Sequence, residues 1–100
     1  MNPRLPLDAT TLAHYCERHH IRRLSLFGSQ LKGTARPDSD IDLLVEFEPG
    51  RVPGLLALAS MELELSDLMG GRRVDLRTAE DLSGYFRDEV LRTAEVQYVR

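Results

Sequence analysis

The chain has 100 residues and a net charge of −3. That length suits one compact domain burying roughly 60–65 % of its unfolded surface, and it leaves little room for a second substrate-holding domain. The acidic balance offers no global basic footprint for nucleic acid, a single Cys16 excludes an internal disulfide framework and a multi-Cys zinc site, and no apolar run approaches the length of about 18 residues that a membrane span needs. The first ten residues, MNPRLPLDAT, also lack the apolar stretch of a secretory leader. The expectation is one soluble, cytoplasmic domain over residues 1–100, with no membrane contact and no direct nucleic-acid binding.

Residues 7–20, LDATTLAHYCERHH, read as a helix: Asp8 is the N-cap, and Leu12, Cys16 and His19 follow at helical spacing. IRRLSLF (21–27) alternates, with Leu24 and Leu26 on one face and Arg23, Ser25 and Phe27 on the other, the pattern of a strand. Gly28-Ser29 breaks it. SQLKGTA has the length of a short helix ending near Gly33, and Pro37 closes the loop after it. DIDLLVEFE (40–48) is the clearest strand, with Ile41, Leu43, Val45 and Phe47 sharing a face.

PGRVPG is a loop. LLALASMELELSDLM (55–69) reads as a helix with Leu55, Leu58, Leu65 and Leu68 along one core-facing stripe, stopped by Gly70-Gly71. RRVDLRT (72–78) is a short strand whose Val74 and Leu76 face the core while Arg73, Asp75 and Arg77 face away. Residues 80–99 read as one or two helices, broken at Gly84, with Phe86 and Val90 as an i, i+4 packing pair. The tail Val96-Gln97-Tyr98-Val99 is left open between docking a subunit and fraying. The order implies an α/β fold: a small sheet of three to four strands flanked by helices.

Three acids stand out against this frame. Asp is depleted in strands, yet Asp40 and Asp42 sit at the mouth of an apolar one. In a strand they share a face with Cα atoms roughly 6.5–7 Å apart, so their carboxylates can converge on a divalent cation such as Mg²⁺, which prefers oxygen ligands. Asp75 projects from the polar side of the second strand and would complete a triad; the competing role for it is an ion pair with Arg73 or Arg77. Gly28-Ser29, between a strand and a helix start, has the makings of a phosphate-holding turn, since Gly permits close backbone approach and helix N-termini favour anions. An ordinary turn with Ser as N-cap is the alternative. CERHH, with His14 nearby, lacks a second ligand pair at a recognised metal spacing, so packing or solvated roles suit Cys16, Glu17 and the three histidines better.

Gly28-Ser29, ten intervening residues and then Asp40-Ile41-Asp42 resembles the signature of the polymerase-beta-like nucleotidyltransferase superfamily. FGSQLKGTARPDSDIDLLVEFEP is similar to its minimal branch, RRVDLRT resembles that branch's third-carboxylate strand, and residues 79–99 resemble its C-terminal helix. The resemblance implies a small mixed sheet of the polymerase-beta-like nucleotidyltransferase fold, with Gly28 and Ser29 holding the triphosphate of ATP. It implies Asp40, Asp42 and Asp75 as catalytic Mg²⁺ ligands, Asp75 serving also as base; Lys32 and Arg36 are the basic residues after the Gly-Ser pair. Many such domains pair with a HEPN-domain toxin, an RNase, and act as antitoxin by transferring AMP to a toxin tyrosine. The alternatives are a non-enzymatic antitoxin that covers its toxin, and a nucleotidyltransferase for a small molecule or an RNA end.

Overall fold

The computed structural model describes residues 5–28 and 40–100. Helix α1 (Ala9–Arg18) starts where the sequence indicates: both carboxylate oxygens of Asp8 accept from Thr11, one from its backbone N–H at 3.1 Å and one from its hydroxyl at 2.6 Å. Its inward face carries Leu12, Tyr15 and Cys16. The Tyr15 hydroxyl donates to the Met61 carbonyl at 3.0 Å, tying α1 to the next helix. Strand β1 (Ile21–Phe27) follows after His20, whose φ of 58° turns the chain. Strand β2 (Ile41–Phe47) lies antiparallel to it. The short helix expected within SQLKGTA and the turn at Pro37 fall outside the described residues.

Helix α2 (Leu55–Leu68) ends in a Schellman motif: the Gly71 N–H reaches the Ser66 carbonyl and the Gly70 N–H that of Asp67, with both glycines at positive φ. It carries the chain to β3 (Val74–Arg77), which runs parallel to β2. A 3-10 turn (Ala79–Asp81) with a Thr78/Asp81 capping box leads into α3 (Gly84–Thr93), and the Arg87 guanidinium fastens the two by donating to the Ala79 and Leu82 carbonyls.

Two expectations are corrected. Residues 80–99 are not helical throughout: Glu95–Val99 form β4, an edge strand antiparallel to β1, giving a four-stranded mixed sheet in the order β3-β2-β1-β4. The β-branched alternation of EVQYV, set against the otherwise open edge of β1, outweighs continuation of the helix. The inward stripe of α2 is also different. Met61, Leu65 and the capping Met69 are buried and Leu58 partly so, whereas Leu55 and Leu68 are exposed. Leu58, Met61, Leu65 and Met69 lie one helical turn apart in succession, and only that row meets the sheet.

The sheet has two unlike faces. Leu24, Leu26, Leu43 and Val45 point into the main core under α1 and α2. On the other face Phe27 and Leu44 pack with Leu82 and Val90 from the 3-10 turn and α3, while Phe86 stays partly exposed against the edge of the Phe27 ring. Asp42 and Asp75 lie on this second face, at the end where β1 finishes and β2 and β3 begin. Because Leu65 is wholly buried in the main core, Leu65→Ala is expected to cost about 2–5 kcal/mol in urea denaturation, whereas Leu68→Ala, on the exposed side, is expected to change stability by less than about 1 kcal/mol.

Candidate active site

The acids are placed by strand register. Ile41 N–H donates to the Arg73 carbonyl at 2.9 Å, and from there Ile41 pairs with Val74, Asp42 with Asp75 and Leu43 with Leu76. Side chains opposite one another in a ladder share a face, and neighbouring strands lie about 4.8 Å apart. Asp42 and Asp75 are therefore side by side, with Asp40 exposed just ahead of β2. Asp42 is also the partner of Phe27 in β1.

Gly28 closes the site on the β1 side. Its φ is +80°, and a Cβ there would stand 2.5 Å from Asp42 Oδ2. Glycine is required twice over, for the left-handed backbone and for the approach to the carboxylate. Ser29, Lys32 and Arg36 lie outside the described residues.

The electrostatics show the crowding. Asp42 is held above its ordinary value, first by burial and then by the charges of Asp75 and Asp40, with Arg77 opposing. Asp75 accepts from Arg77 Nη2 at 3.0 Å and Nε at 3.2 Å, and Asp75 in turn raises the Arg77 guanidinium further above its usual value. Asp75 thus stands beside Asp42 in the ladder and is ion-paired, with Arg77 rather than Arg73. Among the described residues no three Asp, Glu, His or Cys side chains are drawn close enough together to hold one metal ion. The donor set itself is oxygen-only and of one charge sign, which suits a hard divalent cation.

Around the outer edge of β3 runs a cavity of about 630 Å³, lined by Asp40, Asp75 and Arg73 on the sheet side and by Glu62, Leu63 and Ser66 of α2. Glu62 Oε2 accepts the Leu76 N–H at 2.7 Å, so that edge is capped against strand addition. Arg73, the other candidate partner of Asp75, instead lines this cavity together with Asp40 and Asp75. On the far side of the molecule the CERHH segment is structural. The Cys16 thiol is fully buried and pushed up to about 12 by that burial, His19 stacks against Tyr15 and meets Glu64 at 3.0 Å, and Arg18 pairs with the same Glu64.

A nucleotidyltransferase domain model matches residues 10–96, and the chain belongs to that family. The four-stranded mixed sheet and its three α-helices among the described residues are the minimal nucleotidyltransferase fold: a solved structure described as a minimal nucleotidyltransferase superimposes with a TM-score of 0.69 at 43 % identity, over 86 % of this chain and 85 % of that one. Among curated proteins, the protein adenylyltransferase MntA of Thermococcus cleftensis is 42 % identical over 83 residues, 83 % of this chain and 79 % of the relative. A toxin–antitoxin structure with AMP-PNP shares the fold at a TM-score of 0.74 and 20 % identity, over 94 % of this chain and 75 % of that one.

Two measurements probe the geometry. A carboxyl whose value is raised by folding destabilises the fold when ionised; that cost is absent below the ordinary value of 3.8 and grows as pH rises through the folded value. In EDTA, Asp42→Asn should therefore melt above the wild type at pH 7, with the gap closing toward pH 3.5; a wild type more stable than the variant at pH 7 contradicts the crowding. Gly28→Ala is expected to lose about 1–2 kcal/mol from backbone strain alone and more from the contact with Asp42. In an Asp42→Ala background the second part should disappear in a double-mutant cycle.

Proposed function

We propose that this chain is an ATP- and Mg²⁺-dependent adenylyltransferase that serves as the antitoxin of a toxin–antitoxin pair. On this reading it transfers AMP to a tyrosine of a HEPN-family RNase toxin, in the cytoplasm. The observation that carries the reading is the pairing of Asp42 with Asp75 on one sheet face, against the Gly28 turn. The name of the 42 % identical relative, a protein adenylyltransferase, supports the chemistry, and the toxin–antitoxin structures of the same fold support the partner. No helix among the described residues is long and apolar enough to cross a membrane.

In the reaction the tyrosine oxygen attacks the α-phosphorus of ATP, the bond from that phosphorus to the bridging oxygen breaks, and pyrophosphate leaves. The proton of the hydroxyl goes to a carboxylate, for which Asp75 is assigned. Asp40, Asp42 and Asp75, which the fold alone does not draw together closely enough for one ion, would have to close around Mg²⁺, which when bound would neutralise phosphate charge and polarise the phosphoryl oxygens. Gly28 and Ser29 would hold the triphosphate, and Arg73 and Arg77 supply positive charge beside the acids.

The test is incubation with α-labelled ATP, Mg²⁺ and the HEPN partner, followed by mass spectrometry for added AMP. The wild type is expected to label the partner. Asp40→Asn/Asp42→Asn is expected to lose transfer by more than about a hundredfold while still co-purifying with the partner. Label transfer undiminished in that variant would falsify the assignment of the acids. Protection of cells by the double variant as strong as by the wild type would show that covering the toxin, not modifying it, is the antitoxic act.

A further inference from the structure

The outer side of α2 is as apolar as its inner side. Leu55 is 85 % exposed, Leu56 88 %, Leu63 71 %, and Val52 in the loop before the helix 68 %. At 3.6 residues per turn, Leu55, Ala59, Leu63 and Leu56 fall within about 100° of arc, rotated away from the Leu58, Met61, Leu65 and Met69 row that meets the sheet. Ser66 is the remaining residue inside that arc, so it holds no charge. A helix apolar on both sides is normally covered on both sides, and four large apolar side chains clustered on a small domain mark an interaction surface.

Continuity with the acids says what covers it. Ala59 and Leu63 belong to this arc and also line the cavity that contains Asp40 and Asp75. A macromolecule brought to the acids from the β3 side must lie along this face of α2. A nucleotide, by contrast, has no use for a greasy surface extending back to Val52, beyond the N-terminal end of α2. We infer that the Val52, Leu55, Leu56, Ala59 and Leu63 face is the dock for the acceptor protein, presenting its own apolar surface to α2 while its hydroxyl reaches the acids. The inference rests on the protein-modifying reading above and adds the surface by which the acceptor is recognised. It also assigns a role to the absence of acidic residues from the first turn of α2, where the helix dipole would favour them.

That last feature makes a clean variant available. Leu55→Glu/Leu56→Glu places two carboxylates at the N-terminal end of α2, where they suit the dipole and displace no core side chain, so the melting temperature should hold. Titration calorimetry with the HEPN partner is expected to show affinity reduced by at least about tenfold, with binding of a fluorescent ATP analogue in Mg²⁺ unchanged. Leu91→Glu, an exposed site on α3, serves as the control and should bind the partner normally. Equal partner affinity in wild type and double variant overturns the dock, as does absence of partner binding by the wild type. So does a wild type that is dimeric alone and becomes monomeric in the variant with partner affinity unchanged, because a second copy would then be the occupant. Wild-type binding that is lost in the variant, but with no AMP transferred by either, overturns the adenylyltransferase reading and leaves the dock standing.

Discussion

The parallel pairing of β2 with β3 is the constraint on which the site depends. One backbone bond, from Ile41 N–H to the Arg73 carbonyl, begins that ladder, and the ladder decides which residues stand opposite each other. A slip of one residue would turn Asp75 to the helix face and Val74 to the acid face. The slip is prevented from the other side of the sheet, where Val74 and Leu76 are buried with Ile41 and Leu43 under α2. The apolar core, which does no chemistry, is therefore what holds two like charges side by side.

Holding them there works against folding. Burial and two neighbouring carboxylates all push Asp42 toward its neutral form, and only Arg77 pushes back. Arg77 makes two hydrogen bonds to Asp75, which balances the pair but also occupies one of the oxygens a cation would use. The pairing is on the surface, with Arg77 about half exposed, where ion pairs contribute little net free energy and side chains exchange partners readily. The guanidinium is thus a weak occupant, one that a divalent cation would displace if it bound as proposed. Gly28 completes the same economy of space: its missing side chain is the room the Asp42 carboxylate occupies.

Most of this frame was legible from the residues. Alternation marked β1 and β2, although Ser25, Phe27 and Leu44 on the second face are buried as well, and Asp8 marked the start of α1 because its side chain can satisfy the first free N–H groups. The acids drew attention through their violation of strand preference, and the register of β2 and β3 puts two of them, Asp42 and Asp75, side by side. β4 was not legible, because five residues that follow a helix with no Gly or Pro between carry no boundary of their own; the partner that makes them a strand is β1, more than 65 residues earlier in the chain. The inward row of α2 was misplaced for a related reason. With leucines on several sides of one helix, periodicity alone cannot choose between arcs, and Met61, whose carbonyl receives the Tyr15 hydroxyl, marks the true one only once α1 is in place.

Among the described residues, two helices cover one face of the four-stranded sheet and one helix with the 3-10 turn covers part of the other, and the second apolar arc of α2 is left exposed. Asp40 and Asp75 open onto a cavity lined by the edge of β3 and by α2. If the acceptor is a protein, as proposed, it would add a wall over the acids and would remove from water the exposed leucines of α2. Catalysis and recognition would then be coupled through one element, since α2 both seats β3 in register from beneath and meets the acceptor from above.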